Sequence, residues 1–95
     1  MSEKIVKVVA TDVSARLYPI INNFKDSMES LMEINNKLLD AMMKIAVDDP
    51  RSYENKMMAM MLNYLHEVVL KLQDTTELLV RVATMCGKIK KEIEQ

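Results

Sequence analysis

Apolar side chains return along this chain in alternating steps of four and three. From Val6 the stepping lands on Ala10, Val13, Leu17, Ile20, Phe24, Ser27, Leu31, Ile34, Leu38, Ala41 and Ile45, and of these only Ser27 is polar. A second run starts at Met58 and steps three then four through Met61, Leu65, Val68, Leu72, Thr75, Leu79, Val82, Cys86, Ile89 and Ile93, with Thr75 its one polar member. A 3.5-residue period sustained over so many repeats predicts two long α-helices, each carrying an apolar seam. The charges agree. Glu3/Lys7, Asp12/Arg16, Glu33/Lys37, Asp40/Lys44, Glu67/Lys71 and Glu77/Arg81 all place the acid four residues before the base, the favoured helical orientation. At about 0.2–0.5 kcal/mol each, such pairs support helices without holding them together.

Between the runs, Asp49 can cap orphan amides and Pro50 suits a first helical position. The expected layout is helix one at about 3–46, a turn at about 47–49 and helix two at about 50–93, in one domain over 1–95. Pro19 lies inside the first run, where it removes a hydrogen bond and crowds the Ala15 carbonyl at a cost of about 3 kcal/mol. Because the apolar register continues through it, a kink is expected rather than a break, with a short helix ending near Leu17 as the alternative. The β-branched stretch Ile5–Val9 also reads as a strand, but no partner strand follows.

The sequence therefore predicts an all-α fold, a long antiparallel helical hairpin. Folding back at the turn sets Ile45 beside Met58, Leu38 beside Leu65, Leu31 beside Leu72 and Phe24 beside Leu79. It also sets Ser27 opposite Thr75, so that the two polar exceptions share a layer that would fix the register. The bland alternative is that each hydroxyl bonds a carbonyl of its own helix.

Outside the seams, helix one carries Tyr18, Ile21, Met28, Met32, Leu39 and Met42 along one flank, and helix two carries Met57, Met60, Tyr64, Leu78 and Met85. Leu62, Val69, Val80 and Ala83 lie on the other side of helix two. These bands are wider than a two-stranded seam and suit helices that touch two neighbours. Two hairpins dimerising into a four-helix bundle is the simplest arrangement that covers them, and by symmetry the contact would be isologous. Helices of another protein are the competing cover.

Composition narrows the class further. One Gly, two Pro and 4% aromatics leave too little turn punctuation for an all-β fold, while 49% apolar residues argue against disorder. A net charge of −1 selects no polyanionic partner, nucleic acid or membrane, by overall electrostatics. The single cysteine cannot form an intrachain bridge, the opening Met-Ser-Glu-Lys leads into no export signal, and no apolar run approaches the roughly 20 residues of a membrane span. A reducing, cytoplasmic setting is expected, with no membrane contact.

Candidate chemistry is sparse. Met42, Met43, Met57, Met58, Met60 and Met61 bracket the turn, and flexible thioethers suit core filling, a dimer seam or a plastic docking surface. His66 stands alone beside Glu67, so no two-histidine ligand spacing exists. Cys86 sits on a seam and is expected to be a buried, inert thiol. Asn22, Asp26, Glu29, Glu33, Asn36 and Asp40 form an oxygen-rich stripe expected to face water. No catalytic, cofactor or metal site is predicted. Near the termini Lys4, Lys7, Lys88, Lys90 and Lys91 form a local basic cluster that could contact nucleic acid.

The expectation is a non-enzymatic protein–protein interaction module, an adaptor, assembly factor or regulator, acting as a homodimeric helical bundle. Its plan resembles that of plasmid-type RNA-binding hairpin dimers. That plan alone implies no shared activity; the alternative, a small nucleic-acid-binding regulator of helical-hairpin dimer type, rests on the lysines near the termini.

Overall fold

The computed structural model describes residues 2–49 and 51–94. It contains two helices, α1 (Ser2–Asp48) and α2 (Tyr53–Glu94), which form a hairpin, and no strand among the described residues. The fold is all-α. Ile5–Val9 is helical, since the small propensity penalty of β-branched residues yields to the long register in which they stand. α1 also runs unbroken through Pro19. Pro19 and Ala15 are both exposed, so the carbonyl that loses its helical donor lies on the solvent side.

The turn is hydrogen-bonded step by step. The Asp49 N–H donates to the Ile45 carbonyl at 2.8 Å and closes α1, and the Arg51 N–H donates to Asp49 Oδ1 at 3.2 Å. The Asn55 N–H then donates to Ser52 Oγ at 3.2 Å, while the Lys56 N–H reaches the Ser52 carbonyl at 3.2 Å. Ser52 is thus the N-cap of α2, which begins at Tyr53, later than the start expected from the proline. Pro50 itself lies outside the described residues.

The hairpin divides into two compact units. One pairs the chain up to Lys25 with the chain from Asp74, and the other is Asp26–Gln73. In the first, Ala10, Ser14 and Ile21 of α1 are buried between half-buried Lys7, Leu17 and Phe24; from α2, Thr76 and Cys86 are buried, with Leu79, Ala83, Lys90 and Ile93 half-buried. In the second, the inward line of α1 is Met28, Leu31, Asn35, Leu38, Met42 and Ile45, all half-buried. It faces Asn55, Met58, Leu62, Leu65 and Leu72, half-buried, and buried Val69.

This line corrects the expected seam. Every second member is the one predicted, from Ala10, Leu17 and Phe24 to Ile45, and from Met58 and Leu65 to Ile93. Most alternate members are displaced by one residue, so that Lys7, Ile21, Met28 and Asn35 stand where Val6, Ile20, Ser27 and Ile34 were expected, while at Val13/Ser14 and Ala41/Met42 both neighbours are covered. In α2 the same displacement puts Leu62, Val69, Thr76 and Ala83 in place of Met61, Val68, Thr75 and Val82. Ser27 and Thr75 are both exposed, so the shared polar layer is absent from the hairpin interior. The physical reason is width: each apolar band spans more than one seam, and the intrachain contact occupies one edge of it.

The interior is thin. Among the described residues no large side chain is fully buried, and the chain exposes 7569 Å². A folded monomer of 11.0 kDa exposes about 5,600 Å².

Candidate functional site

A one-residue displacement on half the seam positions turns the line of burial by about 50° around each helix axis, half of the 100° that one residue subtends. Because α1 and α2 run antiparallel, the same displacement toward higher residue numbers in both moves the displaced apolar positions onto one common side of the helix pair. In the first unit this is visible directly: Val6, Val9 and Val13 of α1 line one groove with Cys86 and Ile89 of α2. The groove has a volume of about 260 Å³ and walls of aliphatic side chains and one thiol. In the second unit the same helical positions are Ile34 and Ala41 with Met61 and Val68.

These residues are only partly covered. Val6, Ile20 and Ile34 are 42%, 44% and 45% exposed, and Met61, Val68 and Val82 are 48%, 43% and 43% exposed. Beyond them on α2, Leu78 and Met85 in the first unit and Met57 and Tyr64 in the second are exposed as well, with exposed Lys71 at the same helical position. The opposite side of the first unit differs in chemistry. Its groove is lined by Tyr18, Asn22 and Lys25 against Val80, Thr84 and Gly87, mixing polar and apolar groups.

The residues expected at a partner interface divide accordingly. Ile21 is buried at 5% exposure and Met28 and Met42 are half-buried, all against the chain's own α2. Tyr18, Met32 and Leu39 are exposed on the mixed flank, and Met57, Tyr64, Leu78 and Met85 on the apolar side. Met60 is exposed too, farther from the intrachain seam. Sequence reasoning passed over Val6, Ile20, Ile34, Val68 and Val82 as surface because it gave them to the interior. The signal that marks them is the polar membership of the true inward line, Lys7, Ser14 and Asn35, beside an apolar neighbour at every turn.

Lys4, Lys88 and Lys91 are exposed, whereas Lys7 and Lys90 occupy inward positions and are half-buried, so the five lysines do not share one solvent-facing track. His66 and Glu67 are exposed, as is the whole stripe Asn22, Asp26, Glu29, Glu33, Asn36 and Asp40. No group of metal-holding side chains occurs among the described residues. Cys86 is a buried free thiol. Thr11 and Thr84 donate to the carbonyls of Lys7 and Val80 at 2.8 Å, spending their hydroxyls within the helix. Asn35 Oδ1 is buried without a hydrogen-bond partner. Among the described residues no helix is long and apolar enough to cross a membrane. Comparison of the chain with protein-family models, with curated proteins and with solved structures finds no match.

Proposed function

We propose that this chain is a non-enzymatic protein–protein interaction module, an adaptor, assembly factor or regulator, that works as a homodimeric helical bundle. The observation that carries this reading is the surface excess. The hairpin exposes about 2,000 Å² more than a compact monomer of its mass, in a range that obligate homodimers bury per chain. Much of that surface is large aliphatic and thioether side chains running the length of both helices. Left in water, such a band costs roughly 25 cal/mol for each Å², so covering it is a strong driving force for association. Flexible methionines along it, Met57, Met61 and Met85 among them, suit a surface that adapts to the shape of whatever covers it.

A nucleic-acid role through Lys4, Lys7, Lys88, Lys90 and Lys91 is less well supported, because two of the five lysines are drawn into the seam. The test is to recover the chain with its native companions, with and without nuclease, and weigh the particle by light scattering. The expected particle contains two copies plus protein, and nuclease and moderate salt leave it intact. A particle that falls apart under nuclease, with affinity dropping steeply as salt rises, rejects the module reading in favour of nucleic acid.

A further inference from the structure

We propose that a second copy of this chain docks on the side of each unit that carries the displaced seam positions, Val6, Val13, Ile20, Val82 and Ile89 in the first and Ile34, Met61 and Val68 in the second, so that within each unit two helices meet two more in a square. This rests on the reading of the chain as a self-associating module, and adds which face associates and in what geometry.

In a square of four parallel or antiparallel helices, the common axis lies about 45° away from the direction to each nearest neighbour. A helix in such a bundle therefore centres its apolar stripe on the axis and meets its hairpin neighbour at that angle to one side. In this chain the strongest apolar stripe of each helix is the sequence seam, and the observed contact with the other helix is offset from it by about 50°. The offset has the sense, in both helices, that puts both stripes on one face, as Val6, Val13 and Ile89 around a single groove demonstrate. Two helices packed only on each other would show no offset, so the offset calls for further helices on that side, and a second hairpin supplies two of them.

Chemistry selects the face. On the proposed side the flanking positions are apolar apart from Ser27 and Thr75. On the other side the equivalent positions are mixed: exposed Tyr18, Met32, Leu39 and Val80 alternate with exposed Thr11, Lys25, His66 and Gln73. The occupant is a second hairpin of this chain, since it brings two antiparallel helices with matching stripes, and the surplus area is of the size that a stable homodimer buries.

The experiment uses the full chain. Sedimentation equilibrium should give twice the chain mass for the wild type and for a Tyr18→Glu, Met32→Glu variant of the mixed flank. Ile20→Glu with Val82→Glu should weaken the dimer at least a hundredfold. A monomeric wild type overturns the proposal together with self-association. A dimeric wild type that survives the Ile20/Val82 changes but is broken by the Tyr18/Met32 changes overturns the face while leaving self-association standing. Peroxide footprinting of the unmutated chain avoids any dependence on variant folding. Met32 and Met61 are comparably exposed in one hairpin, at 57% and 48%, so in the proposed dimer Met61 should oxidise at least tenfold more slowly than Met32. Equal rates overturn the proposed face.

Discussion

At the turn, two side chains divide the orphan amides between them: Asp49 accepts from the Arg51 N–H, and Ser52 accepts from the Asn55 N–H in the first turn of α2. Removing the second leaves a helix N-terminus without its cap, so Ser52→Ala should cost about 1 kcal/mol while Ser52→Asp stays near wild type, read from urea midpoints. Gly87 sits in mid-helix with nothing within 4 Å of where a Cβ would be, so its lack of a side chain answers no packing need. Gly87→Ala should therefore raise stability by about 0.5–1 kcal/mol, the ordinary helical gain, and a loss in the same titration would mean that another molecule approaches the backbone there. Asn35 holds an inward position with a buried, unpartnered Oδ1. Asn35→Leu should gain roughly 1–3 kcal/mol by removing that desolvated acceptor. A polar group on a seam also discriminates between registers, so the gain should come with a broader distribution of masses in sedimentation velocity.

At the level of the helices, what the sequence made legible follows from what periodicity can encode. A heptad run fixes that a segment is helical and where its apolar band is centred, and on that basis both helices, the hairpin and half of the inward line, including Leu17, Phe24, Leu31, Leu65 and Leu72, were readable. Which edge of the band meets the other helix is not encoded by period. It depends on how many neighbours share the band, and this is why Ile20 and Ile21, or Val68 and Val69, exchange roles between expectation and structure. The start of α2 was misplaced for a different reason: the serine cap at Ser52, with its two amide partners, outweighs a proline's preference for a first helical position. The tolerance of Pro19 follows from the period too, since it falls on an exposed face where its missing N–H leaves only a solvent-side carbonyl. Leu31 and Leu72 are the informative pair at this scale, because they belong to both the expected and the observed lines and so face the intrachain seam and the proposed bundle axis at once. Each is half-buried in the single hairpin. If the bundle closes over them, Leu→Ala at either should cost about 2–5 kcal/mol by thermal or urea unfolding; a loss below about 1 kcal/mol would be that of a side chain still largely wet.

For the whole molecule, stability and assembly are expected to be one quantity. A two-helix interior with no fully buried large side chain has little apolar burial to set against the entropy of ordering nearly the entire chain. The exposed Asp12–Arg16 pair, Nε to Oδ2 at 3.0 Å, adds only a few tenths of a kcal/mol. If the missing stabilisation comes from the surface that a second copy would cover under the proposal, the protein unfolds by dissociating. Its folded fraction then obeys mass action, so each tenfold dilution should lower the apparent stability by about 1.4 kcal/mol per dimer, and the melting temperature followed by circular dichroism should fall by several degrees. The Ile20→Glu, Val82→Glu variant should lose that concentration dependence and much of its helicity together, since neither half of the bundle keeps its cover. A melting temperature that holds constant across a hundredfold dilution would instead place the stabilising contacts inside one hairpin. The exposed Val6, Ile34 and Val68 would then have to be stable in water on their own, against the roughly 25 cal/mol per Å² that favours covering them.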